Sequence, residues 1–261
     1  MTMNAAMTQD IEVARQGAVM TAAFARPQKK NAITSAMYEA LIDVLEQAEQ
    51  DASVGAVVLS GRGGVFTAGN DISDFLAIAT GAAGSRDARN FPGWRFISKL
   101  AEFEKPLIAA VQGLAVGIGT TLCFHCDLVY AASDARFSMP FVNLGLVPEA
   151  GSSLLAPERF GRAWAAEYLL LAEPFDAETA RALGLVNDVL PETELVAHAM
   201  GKAAVLAAKP RSALLATRRL LRGDPAALKA RMAEEIQAFS AALASPEARA
   251  AFMAFVAGAK G

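Results

Sequence analysis

Along the first two-thirds of the chain the apolar positions switch between two spacings. Short, β-rich apolar runs at residues 18–24, 56–60, 107–111 and 128–131 predict strands, and the segments between them have helical patterns. Residues 34–50 open with a threonine suited to an N-cap and place Met37, Leu41, Val44 and Leu45 at helical spacing, which predicts a helix covering a sheet. This alternation is that of an α/β domain. From Gly161 onward the strand signals nearly vanish. Alanine-rich segments at 162–172, 193–208, 211–221, 225–244 and 246–257 predict helices, separated by Pro210, Gly223-Asp224-Pro225 and Ser245-Pro246. The last two helices carry Met232, Phe239, Phe252, Met253 and Phe255. A small appendage would bury these with difficulty, so the pattern favours packing against another subunit over an intrachain helical layer.

Composition narrows the class. A chain of 261 residues accommodates one large core, taken as residues 1–200, with a helical region at 201–261. With 54% apolar and 20% charged residues it is expected to fold throughout. A net charge of -3 gives no basic field for nucleic acid or an anionic membrane surface. No run approaches the ~20 apolar residues of a membrane span, and residues 1–10 lack the apolar stretch of a secretory signal, so a cytoplasmic protein is expected. Cys123 and Cys126 form a C-x-x-C flanked by Leu122, Phe124 and Val129, which reads as buried core rather than a redox or zinc motif. Only His125 and His198 could add imidazole ligands, and neither metal nor disulfide is expected.

Three glycine-containing segments follow predicted strands, where an α/β fold best presents its backbone to a ligand. In residues 61–71, Ala68 and Gly69 allow close approach, Asp71 is placed to cap a helix from Ile72, and the Asn70 N–H would point outward. A glycine-rich turn with a capped helix explains the same pattern equally well. In residues 111–121 a Gly-x-Gly runs into an apolar helix whose free N–H groups suit a developing oxyanion, with Ile118 N–H the candidate donor. In residues 137–151 an isolated carboxylate, Glu149, sits among apolar residues that would raise its pKa toward that of a general base. The alternative is a glutamate in a helical first turn after Pro148, held there by the dipole alone.

In this order and spacing the segments resemble the crotonase superfamily of enoyl-CoA hydratases and isomerases, from Val19 to Lys260. Residues 26–34 (Arg26-Pro27 through Asn31-Ala32-Ile33-Thr34) are similar to its amino-terminal signature, 66–71 to its first oxyanion segment and 113–121 to its second. The resemblance implies a spiral of ββα units, carboxy-terminal helices used in trimer or hexamer assembly, and an acyl-coenzyme A thioester as substrate, coenzyme A being part of that substrate rather than a cofactor. It also implies that Asn70 N–H and Ile118 N–H hold the thioester oxygen. Hydratases of this superfamily use two glutamates, and the matching positions here are Thr121 and Phe141. Neither can transfer a proton as a carboxylate. Residues 143–149, with Gly69-Asn70-Asp71 and Ala115-Val116-Gly117-Ile118, resemble instead the peroxisomal-type Δ3-Δ2-enoyl-CoA isomerases, whose catalytic glutamate falls on Glu149.

The resulting expectation is an isomerase in fatty-acid or related acyl-CoA metabolism, with Glu149 as base. Hydration, another superfamily reaction, or noncatalytic acyl-CoA binding are the alternatives. Phe141, Leu144 and Val147 are expected to keep the site dry. Coenzyme A contacts are expected at Arg26, Lys29, Ala68, Asp71 and Ile72, with Phe252 and Lys260 of a neighbouring subunit as further candidates.

Overall fold

The computed structural model describes residues 10–79 and 91–258. Its strands are β1 (Ile11–Gln16), β2 (Val19–Phe24), β3 (Ala56–Gly61), β4 (Leu107–Val111), β5 (Leu114–Val116), β6 (Leu128–Ala132), β7 (Arg136–Ser138), β8 (Phe175–Asp176) and β9 (Asp188–Leu190). They form a six-stranded sheet in the order β1-β2-β3-β4-β6-β9 and a three-stranded sheet in the order β5-β7-β8. Apart from the β1–β2 hairpin, every pair in the larger sheet is parallel. Strands β3 and β4 are buried along their whole length, which is why they read as unbroken apolar runs rather than alternating ones.

The helices are α1 (Ser35–Gln50), α2 (Ile72–Ala79), α3 (Pro92–Glu102), α4 (Ile118–Thr121), α5 (Ser152–Phe160), α6 (Arg162–Ala166), α7 (Ala177–Ala182), α8 (Glu192–Ala207), α9 (Arg211–Arg222), α10 (Ala226–Leu243) and α11 (Pro246–Gly258). Successive units send one strand to each sheet and then a helix. β4 and β5 precede α4, and β6 and β7 precede α5. After β3 the same step is made by Thr67, which bridges in parallel to Ala115 of β5 before α2. This is a spiral of ββα units.

The larger sheet is covered on both faces. Val57 and Leu59 point into the main core with Met37, Leu41, Val44 and Leu45 of α1, whereas Ala56 and Val58 meet Leu195, Ala199 and Ala203 of α8. Helix α1 starts where its cap allows, because Thr34 Oγ1 accepts the Met37 N–H at 3.3 Å. Helix α8 runs through residue 200.

Three features differ from the sequence expectation. β1 is an edge strand with a largely exposed pattern, and β8 and β9 lie in the region that carries little strand signal. These strands of two and three residues are too short to show a period. Within 162–172, α6 ends at Ala166 and a π-helical turn, Glu167–Leu171, completes the segment. The third difference concerns the terminal helices. Met232, Phe239 and Phe252 are buried inside their own chain, so the intrachain helical layer is the correct description for them. Phe239 stacks edge-on to Trp94 at 5.0 Å and, with Phe252, surrounds Phe75 of α2. Phe252 therefore has no free face for a neighbouring subunit's ligand. Met253 is exposed, while the Phe255 side chain and Lys260 lie outside the described residues. Among the described residues no helix is long and apolar enough to cross a membrane.

Candidate active site

The first two glycine segments cross each other. Thr67 N–H donates to Leu114 O, and Val116 N–H donates back to Thr67 O. Gly69 has φ +84°, and a Cβ there would stand 2.6 Å from Val116 O; at Gly119 it would stand 2.7 Å from Thr67 Cγ2. Only glycine permits both the dihedral and the approach at position 69. The backbone beyond Gly69 therefore emerges beside that of Val116 and Gly117. Asn70 N–H and Ile118 N–H, the next donors on the two segments, find no protein acceptor among the described residues. Ile118 is the first residue of α4, so its N–H also carries the positive end of that short helix's dipole.

The amino-terminal loop props this crossing. Asn31 is wholly buried in a left-handed conformation, φ 56°. Its amide donates to Arg62 O and Val65 O, its side-chain oxygen accepts from Arg26 N–H, and its carbonyl accepts the Thr67 hydroxyl at 2.7 Å. Thr67 Oγ1 in turn accepts the Gly69 N–H.

Glu149 lies one short helix away. It is 2% exposed and precedes α5 rather than sitting in its first turn, so the helix dipole is not what places it. The turn that carries it is sharp, with Ala150 at φ 59° and Gly151 at φ 70°, and Ser152 N–H and hydroxyl both close back on Glu149 O. A left-handed alanine is a strained position of the kind that collects at functional sites. Thr121, the last residue of α4, donates its hydroxyl to Glu149 Oε1 at 2.5 Å. Burial pushes the Glu149 carboxyl up to about 8, the Thr121 hydrogen bond lowers it in part, and the charge of Glu235 adds to the rise.

Two further groups bear on the site, Tyr38 beside Asn70 and Glu235 beneath the turn that follows Glu149, and neither was singled out from the sequence. Tyr38 of α1 is buried, donates its hydroxyl to Asn70 Oδ1 at 2.5 Å, and has its pKa raised by burial and then by the charge of Glu149. Asn70, Ile118 and Glu149 are thus brought to one place by α1, α4 and the 149–151 turn. Glu235 of α10 binds the turn itself. Tyr38 was hidden among the apolar positions of α1. For Glu235 a signal exists, because Leu228, Met232, Glu235 and Phe239 recur at spacings of four, three and four and share one helix face.

The proposed binding residues fall into two groups. Ala68, Asp71 and Ile72 sit half-buried beside the Asn70 donor, and Lys29 is exposed in the 3-10 turn Pro27–Lys29. Arg26 is engaged internally: its Nη1 donates to Ala32 O at 3.1 Å and to Asp71 at 2.6 Å. The other Asp71 oxygen caps α2 by accepting Ser73 N–H. Burial works to raise Asp71, but its hydrogen bonds from Ser73 and Arg26 prevail and hold it below the usual carboxylate range. Phe141 is buried and Leu144 half-buried next to the Glu149 segment. Cys123 and Cys126 are buried thiols, and burial pushes Cys123 up to about 12, which makes it a poor nucleophile or ligand.

Comparison with known proteins gives one consistent picture. The family model described as enoyl-CoA hydratase/isomerase matches residues 14–260. Enoyl-CoA delta isomerase 2 of Rattus norvegicus is 35% identical over 250 residues, 95% of this chain; the chain spans 64% of that protein's length. The 2,3-dehydroadipyl-CoA hydratase of Escherichia coli is 34% identical, covering 95% of both chains. Among solved structures, Pseudomonas aeruginosa OdaA superposes with a TM-score of 0.88 at 44% identity, covering 95% of this chain and 99% of its own.

Proposed function

The chain belongs to the enoyl-CoA hydratase/isomerase family, and from that premise we propose that it shifts the double bond of a 3-enoyl-CoA to the 2-position. Glu149 removes a proton from C2, the electron pair delocalises onto the thioester oxygen as a dienolate, and the same carboxyl returns the proton at C4. Asn70 N–H and Ile118 N–H receive the developing oxyanion. Each preorganised donor of this kind lowers a barrier by roughly 3 kcal/mol. Coenzyme A arrives as part of the substrate, and no other cofactor is needed for the proton shift.

The observation that carries this reading is the buried carboxylate of Glu149, whose side-chain hydrogen-bond partner is the neutral Thr121 hydroxyl. Thr121 and Phe141 stand where hydratases of the resembling superfamily have their glutamates. Adding water needs one group to activate it and another to deliver a proton, whereas moving a double bond needs one group acting twice. Glu149→Gln is expected to lower kcat on a 3-enoyl-CoA by about a thousandfold, within the range that general acid–base groups supply. Full activity in that variant would rule the assignment out.

Hydration is the second reading, supported by the similar identity to a relative that is named a hydratase. In that case Glu149 and Thr121 would hold the attacking water between them. Turnover of 2-enoyl-CoA and 3-enoyl-CoA esters by one preparation distinguishes the two readings.

A further inference from the structure

Glu235 lies in the middle of α10, 84 residues beyond the turn it touches, and is 6% exposed. A buried carboxylate is costly unless every lone pair it presents finds a donor. Here Oε2 accepts the Gly151 N–H at 2.6 Å, while Oε1 accepts the Ser153 N–H at 2.9 Å and the Ser153 hydroxyl at 2.6 Å. Burial raises the Glu235 carboxyl above its ordinary value, and the three donors that converge on it work against that rise by favouring the ionised, acceptor-only form. The helix face around it is moulded to the same turn. A Cβ at Gly151 would meet Leu228 Cδ1 at 2.3 Å and Met232 Cγ at 3.4 Å, two turns and one turn from Glu235 respectively. The clamped segment begins two residues after Glu149 and contains the left-handed pair Ala150 and Gly151.

We propose that Glu235 is a positioning residue of the reaction: from α10 it holds the strained turn that aims Glu149, and its negative charge strengthens Glu149 as a base. The inference rests on Glu149 being the base. The other groups facing Glu149 do not supply such a charge. Thr121 of α4 contributes a neutral hydroxyl, and Tyr38 of α1 a phenol whose proton is held more tightly than usual, by burial first. His125, paired with Ala150 O, is driven by burial down to about 4 and so is neutral near pH 7. Arg231, one turn before Glu235, reaches Ser153 Oγ at 3.3 Å and ion-pairs with Glu234, so it moderates the charge of Glu235 without cancelling it inside the site.

The test is the 13C-carboxyl NMR titration of Glu149, its signal identified by its loss in Glu149→Gln, together with kcat and KM on a 3-enoyl-CoA. Glu235→Gln keeps the size and removes the charge; Glu235→Asp keeps the charge and withdraws it by one methylene. The expected result for Glu235→Gln is a Glu149 midpoint moved to lower pH, with kcat reduced about ten- to a hundredfold and KM little changed. Glu235→Asp is expected to lose kcat while keeping the midpoint near that of the unaltered protein, and it carries the test if Glu235→Gln folds poorly. A Glu149 midpoint and kcat unchanged in both variants, even with reduced melting temperature, would overturn the inference by leaving only a structural role. If the midpoint moves in a protein that turns over no enoyl-CoA, the inference about the charge stands and the proposed reaction is the part that fails.

Discussion

The Glu149 carboxyl titrates far from its ordinary range, and this couples catalysis to stability. With its pKa raised from 4.5 to about 8 by burial, the folded protein keeps a proton that the unfolded chain has released. Its contribution to stability is therefore complete below about 4.5 and is lost as pH rises through about 8. Buried His125 acts oppositely: with its pKa lowered from 6.5 to about 4, it contributes stability above 6.5 that is lost as pH falls toward 4. Between 6.5 and 8 only Glu149 of these two changes charge. The melting temperature of the unaltered protein minus that of Glu149→Gln is accordingly expected to fall from pH 6.5 to 8.5, and kcat/KM is expected to rise over the same range as the base ionises. A flat difference would mean that Glu149 is already charged at pH 6.5. The rise in its pKa was legible in the sequence, because Phe141, Leu144, Leu146 and Val147 precede it. Its contacts were only partly legible: the resemblance placed Thr121 at a hydratase glutamate position and the spacing along α10 put Glu235 on an apolar face, but the two lie 28 and 86 positions from Glu149 and only the spiral brings them to it.

At the scale of elements, the site is a crossing of two strand-to-helix connections, and its tightest point is Gly69 against Val116. Gly69→Ala would combine a left-handed alanine with a Cβ 2.6 Å from a carbonyl oxygen. The backbone strain alone costs about 1–3 kcal/mol. Relief has to come from spreading the two segments, which separates Asn70 N–H from Ile118 N–H. The expected outcome is a lower denaturation midpoint together with a loss in kcat of about a hundredfold or more, the effect of displacing one donor. If stability fell while kcat stayed the same, the crossing would not set the position of the donors. The elements that form this crossing were the readable ones: β3 and β4 are continuous apolar runs because both their faces are covered, and α1 and α2 begin at side-chain caps. The smaller sheet that completes each ββα unit was not readable. Its strands have three, three and two residues, and they are fixed by pairing with one another and not by a pattern of their own.

At the scale of the whole molecule, most of the apolar residues that invite association lie outside the terminal helices, where Met253 is exposed but three of the expected residues are not. Met232, Phe239 and Phe252 fill the chain's own core, whereas Leu220 and Leu221 of α9 are 84% and 83% exposed. Helix α9 is held down by its arginines. Arg218 Nε bonds both oxygens of Asp127 at 2.8 Å, its Nη1 reaches Phe103 O, and Arg222 reaches His125 O. Both leucines are left outward-facing, together with the exposed Leu170 and Leu171 after α6. Adjacent large side chains kept in water forgo the burial of roughly 1.5–3 kcal/mol each that a partner would provide. We propose that α9 contributes to a self-association surface, in keeping with the trimer or hexamer that the resemblance implies. Light scattering behind size-exclusion chromatography is expected to give three or six times the chain mass for the unaltered protein and a smaller mass for the double variant Leu220→Glu, Leu221→Glu, with the helical circular dichroism retained. A monomer at micromolar concentration before any substitution would remove the need for such a surface. An unchanged oligomer in the double variant would assign the contact elsewhere, with Leu170 and Leu171 the next pair to alter.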